Sequence, residues 1–267
     1  KKIPTIVLLH NILEQVDLES AGFTSNKMTQ YIYNFIGTTL TRLILKADLV
    51  TVTMEKYITT LKNKYKVDNV KMIPHGTFEI PENPSQKLPK GPLKILTFGK
   101  FGTYKKVESM IEAIELVRKE TGLDIEIVIA GTDNPNVIGY LANVKETYKH
   151  IAQLTFTGYV KEVDVASLFI ESAVVVFPYT STTGSSGVLH QAGSYGRAVV
   201  MPNLGDLASL IEDEGYRGEF FDPEDVRSLA NAIKAIVTNE VYRIELGEAN
   251  YKAATAFPME RITAIYL

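Results

Sequence analysis

The sequence contains no cysteine. Disulfides, thiolate nucleophiles and cysteine-ligated zinc are therefore excluded, and a reducing compartment is compatible with the chain. It also lacks a long uninterrupted apolar run. The longest candidate, Tyr31 to Leu45, is broken by Asn34, three threonines and Arg42, so no membrane span is read there. Basic charge is not in excess. The formal net charge is −3, and no global positive field draws the chain to nucleic acid. Several motifs are missing as well. No Walker lysine pattern supports a P-loop NTPase, and no G-x-G-x-x-G follows a strand. Gly184-Ser-Ser-Gly187 has the wrong form for a nucleophile elbow. No His/Asp/Glu set has metal-ligand spacing, so no metal site is expected. There is no signal peptide, and Lys1 is not a start methionine; the chain reads as if it begins inside a larger protein.

What is present is an alternation of strands and helices. With 267 residues, 45% of them hydrophobic, the chain fits one large domain, or one domain plus part of another. Ile3 to Asn11 reads as a short buried strand ending at His10. The apolar positions of Lys27 to Ala47 follow the helical period. Asp48 to Val52 is a second strand, Glu55 to Lys66 a helix, and Val70 to Pro74 a third strand ending at His75-Gly76. Ile80 to Pro92 carries four prolines and few apolar residues, which marks a linker. Beyond it, strands are expected at Leu93 to Phe98, Asp124 to Ala130, Gln153 to Thr157, Ala173 to Phe177, Ala198 to Met201 and Gly218 to Phe221. Helices are expected between them, including Asn136 to Ile151, and the tail is helical. This pattern predicts right-handed βαβ units and parallel sheets covered on both faces. Ligands of such sheets bind at the carboxyl ends of strands. His10, His75-Gly76, Gly99-Lys100, Gly131, Gly158-Tyr159 and the loop at Thr180 all follow strands, so one cleft can gather them.

Within that cleft two stretches carry chemistry. Phe98 to Lys106 places lysines on both sides of a glycine loop at a helix start. Cations there oppose the helix dipole, which points to an anionic partner; the alternative is a solvated loop. Tyr179 to Arg197 runs from a strand through small and hydroxyl residues into a helix. Its N–H groups suit a phosphate, and its hydroxyls equally suit a helix cap. His10 and His75 read as structural hydrogen-bonders or cleft residues, and His150 and His190 as structural. Glu14, Asp17, Glu19, Asp133 and Asp206 lie in loops near strand ends, with surface solvation as their default.

Taken in order, these residues resemble the retaining glycosyltransferases of family four, which have the GT-B fold. Ile73-Pro-His-Gly76 matches the family's I-P-x-G. Gly99-Lys100 with Lys106 is similar to its G-R-(five)-K, whose cations hold the donor diphosphate. Ile129-Ala-Gly131 and Phe156-Thr-Gly158 match strand ends that line the nucleotide pocket. Phe257 to Leu267 resembles the C-terminal helix that crosses back to the first domain.

The resemblance implies two Rossmann-like doubly wound parallel-sheet domains of the α/β class, the first only partly represented. Residues 1–80 would belong to the acceptor-side domain, 81–92 to the linker, 93–255 to the nucleotide-sugar domain and 256–267 to the crossing helix. It implies a retaining, metal-independent hexosyltransferase using a nucleotide-diphosphate sugar as co-substrate, with no further cofactor. His10, Lys100 and Lys106 would be catalytic. Gly99, Gly131, Tyr159, Val160, Thr183, Ser185, Ser186, Gly187, Val188 and Gln191 would bind the donor. A glycan, a lipid-linked sugar or a small molecule would be the acceptor. Two departures stand out. Lysine replaces the usual arginine at Lys100, and the family's E-(seven)-E falls on Thr183 and Gln191. A module that binds nucleotide sugar without turnover, a sugar phosphorylase and an epimerase are therefore the competing readings. A cytoplasmic location is expected, with the cytoplasmic face of a membrane as a variant, because many relatives act on lipid-linked glycans; Tyr31 to Leu45 is read as ordinary core. The proline-rich linker is expected to serve as one hinge strand when the domains close over the donor.

Overall fold

The structure is a computed structural model, and it describes residues 3–19, 23–181 and 186–267. The first unit is a three-stranded parallel sheet of β1 (Ile6–Leu9), β2 (Leu49–Val52) and β3 (Val70–Met72), in the order β1-β2-β3. α1 (Lys27–Ile44) and α2 (Glu55–Tyr65) connect its strands. Asn26 caps α1 by accepting from the N–H groups of Met28 and Thr29. α2 ends at Lys66 in the left-handed conformation, φ 56°.

The second unit is a six-stranded parallel sheet. Its strands are β4 (Leu93–Phe101), β5 (Ile125–Asp133), β6 (Leu154–Gly158), β7 (Ser172–Val176), β8 (Ala198–Pro202) and β9 (Gly218–Phe221). Their order is β6-β5-β4-β7-β8-β9. The order reverses between β4 and β7, which opens a crevice at their carboxyl ends. The helices are α3 (Glu108–Thr121), α4 (Tyr140–Thr147), α5 (Glu162–Ile170), α6 (Gly187–Ser194), α7 (Gly205–Glu214), α8 (Val226–Val237), α9 (Glu240–Thr255) and α10 (Met259–Tyr266). Both β7 and β8 are buried along their whole length, as central parallel strands must be. Met110, Ile111, Ile114 and Val117 of α3 pack with Ile233 and Ile236 of α8 in one core cluster. A second cluster runs from Leu9, Val50 and Tyr57 to Val175, Leu189 and Met201.

The expected element order is observed, with shifted boundaries. Gly99 and Gly131 do not end their strands. They lie in register with each other inside β4 and β5, at φ 140° and 139°. The helix expected from Asn136 begins only at Tyr140. Asp133 accepts from Gly139 N–H at 2.6 Å and Leu141 N–H at 2.8 Å, and so holds a turn before it. Asp133 therefore has a structural partner rather than a solvated side chain.

Two further readings are corrected. Tyr31 to Leu45 is not ordinary core. Met28, Tyr31 and Phe35 are 71%, 71% and 67% exposed, and Ile32, Ile36, Leu40 and Leu43 are exposed as well. Gly37 and Thr41 supply the buried face of α1, where Gly37 meets the backbone of Glu14. Glu14 is not a solvated acid. Its side chain is 4% exposed, 2.6 Å from Lys64 Nζ, and accepts from Thr41 and Tyr65. Burial pushes its carboxyl upward, but these bonds outweigh it and hold the carboxyl below the usual range. Among the described residues, no helix is long and apolar enough to cross a membrane.

The proline-rich segment is tied to the second unit. Buried Arg197 donates to the carbonyls of Ser85, Tyr195 and Ile170. Tyr251 OH donates to Pro81 O at 2.8 Å. Just before that segment, Thr77 exchanges backbone bonds with the return crossing: Thr77 N–H donates to Phe257 O at 2.9 Å and Met259 N–H to Thr77 O at 3.1 Å. α10 then lies against Gly76 and reaches β2, where Tyr266 OH meets Thr51 Oγ1 at 3.0 Å.

Candidate active site

The floor of the crevice is a contact between two backbones. A Cβ on Gly131 would stand 1.8 Å from Gly99 O, so no larger residue fits unless the strands part. Above Gly99 lies the side chain of Lys105. A Cβ on Gly99 would be 3.0 Å from Lys105 Nζ. That ammonium sits 4.6 Å from the ring centroid of Tyr179 and 5.8 Å from that of Tyr104. The two rings meet edge to face. Burial lowers the Lys105 pKa, while Tyr104 raises it. It makes no ion pair with any described residue, and among these its charge meets the two ring faces.

The expected catalytic lysines sit differently. Lys100 is exposed, in register with Thr132 beyond the glycine contact. Lys106 is exposed too, and its N–H donates to Pro178 O at 3.0 Å. The chain alternates through this turn, so Lys105 goes inward while its neighbour goes to solvent. Sequence reasoning missed Lys105. Its adjacency to Tyr104 and the presence of Tyr179 across the loop were the available signals.

Tyr179, over whose ring Lys105 stands, is hydrogen-bonded to Ser186 at the cap of α6. Ser186 precedes the helix and takes the cap position, with its carbonyl accepting from Leu189 N–H at 3.0 Å. The first N–H groups of a helix have no acceptor within it, so the Gly187 end can receive an anion. Thr183 and Ser185 lie outside the described residues. Tyr159 is exposed after β6, and Val160 packs against the core beside it.

Gly187, Val188 and Gln191 line a cavity of about 450 Å³. Glu162 and Val165 of α5 close one flank, and His75 to Glu79 close the other. Glu79 accepts from Tyr195 OH at 2.7 Å. His10 is exposed at the end of β1, with its ring centroid 6.5 Å from that of His75. His75 stacks on His190 at 4.7 Å and 19°. The structure thus brings His75, Gly187, Val188 and Gln191 to one cavity, and Gly99, Gly131 and Lys105 together at the floor of the crevice. Among the described residues, no group of three or more His, Asp or Glu could hold a metal ion.

The sequence profile of the family "Glycosyl transferases group 1" matches residues 92–239, more than half of the chain. No curated protein sequence matches it. Among solved structures, sucrose-phosphate synthase from Thermosynechococcus elongatus superposes with a TM-score of 0.73 at 20% identity, covering 98% of this chain and 65% of that one. HepE from Anabaena, in complex with UDP and glucose, gives 0.75 at 16% identity, covering 98% and 70%. TarM of S. aureus gives 0.71 at 18% identity, covering 98% and 49%. The architecture is GT-B. The chain spans about half to two thirds of the length of these structures.

Proposed function

The chain belongs to the glycosyl transferases group 1, and on that premise we propose that it binds a nucleoside-diphosphate sugar in the crevice and transfers the sugar to a hydroxyl acceptor. The observation that carries this reading is Lys105. A half-buried ammonium above a glycine floor, on the ring of Tyr179 whose hydroxyl bonds to Ser186 at the cap of α6, and without an ion pair among the described residues, suits an anionic ligand. A diphosphate laid across Gly99 would meet that charge on one side and the start of α6 on the other.

In the proposed reaction the bond from the anomeric carbon to the diphosphate breaks, and a bond to the acceptor oxygen forms on the same face. The acceptor proton passes to the departing phosphate oxygen, so configuration is retained and no enzyme carboxylate is consumed. Lys105, the α6 N-terminus and the more exposed Lys100 and Lys106 stabilise the charge that develops on the leaving group. Charge stabilisation of this kind is usually the largest catalytic term. The protein supplies these charges itself, which makes the reaction metal-independent. Gln191 exchanges hydrogen bonds with the ribose hydroxyls, and His10 stands at the acceptor side. The acceptor class is a glycan, a lipid-linked sugar or a small molecule.

Thermal shifts with UDP, GDP, ADP and CMP test donor binding, with UDP first because it accompanies HepE. Binding and turnover of a sugar donor are expected. Absence of stabilisation by every nucleotide overturns the reading. Thr183 and Gln191, standing where carboxylates are usual, favour one competitor: a module that binds donor without turnover. Binding with no transfer to any acceptor and no donor hydrolysis would select it.

A further inference from the structure

The transfer chemistry leaves one buried group of side chains unused. His75, after β3, stacks on His190 of α6 with ring centroids 4.7 Å apart. His190 Nδ1 meets Tyr216 OH at 2.9 Å. Its Nε2 faces Glu214 Oε2 at 3.4 Å, and both side chains are 2% exposed. Neither Glu214 oxygen has a hydrogen-bond partner among the described residues. A carboxyl buried in that way is a cost to the fold, so its place behind His190 calls for a role.

The geometry fixes the tautomer of His75. Its Nδ1 lies 2.9 Å from Gly76 O. A carbonyl only accepts, so Nδ1 carries the hydrogen and neutral His75 presents a lone pair at Nε2. Burial, and then His10, keep His75 on the neutral side of its ordinary range against the pull of Gly76 O. The Nε2 edge is turned to the first residue of α6: a Cβ on Gly187 would lie 4.0 Å from it. His75, Gly187, Val188 and Gln191 share the cavity wall. An acceptor atom here faces a ligand whose diphosphate reaches the start of α6.

We propose that His75 Nε2 accepts a hydrogen bond from a hydroxyl of the donor sugar, and that His190, Tyr216 and Glu214 are positioning residues that hold the His75 ring for it. The proposal rests on the donor reading above. Tyr216 OH shares a hydrogen bond with His190 Nδ1, and the opposite ring nitrogen, Nε2, lies 3.4 Å from the Glu214 carboxyl. One edge of the His190 ring is bonded and the other is backed by Glu214, and its face is the surface on which His75 lies. The hydrogen bond selects for sugar, because a nucleoside diphosphate alone does not reach it.

Calorimetric titration of the whole chain with UDP, UDP-glucose, GDP and GDP-mannose separates the two levels. H75A is expected to weaken the better-bound sugar nucleotide by about three- to tenfold, the worth of one such bond, and to leave its parent diphosphate unchanged. H75Q, which keeps an acceptor at a similar place, retains most of the affinity. E214L loses the same sugar-dependent increment, and E214Q restores it; a purely structural role would lower the melting temperature without touching the ratio. Histidine 15N spectra of the unaltered chain give a check that needs no variant to fold. His75 shows the Nδ1–H tautomer, and its Nε2 signal moves with the sugar nucleotide but not with the diphosphate. Equal weakening of sugar nucleotide and diphosphate in H75A, or an Nε2–H tautomer, overturns the proposal alone. Failure of these four and of ADP and CMP to bind the unaltered chain overturns the donor reading and this inference with it.

Discussion

Replacing Lys105 by methionine separates ligand binding from stability. The ammonium lies between Tyr104 and Tyr179 with no ion pair to a described residue. Removing it therefore strands no buried partner. Methionine of similar length keeps the contacts of the stem with the rings. Replacing an unpaired, partly desolvated charge by an apolar group removes its desolvation cost. K105M is thus expected to melt at the same temperature or a few degrees higher; roughly 1 kcal/mol corresponds to about 2–4 °C in a chain of this size class.

Binding should move the other way. Two unit charges about 4 Å apart attract by about 4 kcal/mol at an effective dielectric of about 20. Loss of one charge-stabilising group typically costs about 2.7–4 kcal/mol, on the order of a hundred- to a thousand-fold in turnover. The two estimates agree, so K105M should lose at least a hundred-fold (about 2.7 kcal/mol) in transfer rate, with a weaker diphosphate affinity. K106M, at an exposed position, should lose much less. The stability effect carries a pH signature. Burial lowers the Lys105 pKa below the ordinary 10.5, so the folded chain bears the penalty of the charge in full below that lowered value. As pH rises from there to 10.5, the folded state sheds its proton first and the penalty is relieved. The melting-temperature advantage of K105M should narrow across that window. Calorimetric melting and a donor-turnover assay decide the matter. A K105M chain that melts several degrees lower, or that turns over donor at the unaltered rate, refutes the reasoning.

Other outcomes follow from the same geometry. Glu14→Gln should destabilise by about 1–3 kcal/mol in urea unfolding, since it removes the charge that Lys64, Tyr65 and Thr41 address. Because the Glu14 carboxyl is held below its ordinary 4.5, that difference is full above 4.5 and vanishes as pH falls through the lowered folded value. Gly131→Ala should cost about 1–3 kcal/mol or more and abolish nucleotide-induced thermal shifts, because its Cβ meets Gly99 O head-on at a left-handed φ; a normal thermal shift in a well-folded variant would contradict the assignment of the floor.

Strand and helix placement were legible because burial on both faces leaves a plain trace in sequence. Ala173 to Val176 and Ala198 to Met201 are apolar at every position, as only central parallel strands require. Glycines were harder. Gly99 and Gly131 look like strand ends, yet they sit inside strands, because the missing Cβ serves a neighbouring backbone rather than a turn. The cations were half legible: a lysine pair at a glycine loop announces an anion, but in an irregular segment adjacent side chains point apart, and only coordinates separate Lys105 from Lys106. Glu14 and Glu214 were illegible. Each stands in a polar-looking stretch, and what buries them comes from residues far along the chain, Lys64 and Tyr65 for one and His190 for the other. The helical period of α1 was plain, but periodicity does not say whether anything covers the face it creates.

The paired crossings at Thr77 have a mechanical consequence. The outgoing chain at Thr77 and the returning chain at Phe257 to Met259 are bonded to each other, while Ser85 and Pro81 are clamped to the six-stranded sheet by Arg197 and Tyr251. The proline-rich stretch is therefore bound to one body, and any swing between the bodies would fall on the few residues beside Thr77. Two strands fastened side by side work like the knuckles of a door hinge. They permit swinging about the line they define and resist twisting across it. Spin labels on the two sheets should accordingly report a single distance change when nucleotide is added. His75 lies two residues from Thr77, so a small swing there would carry its ring a short way across His190.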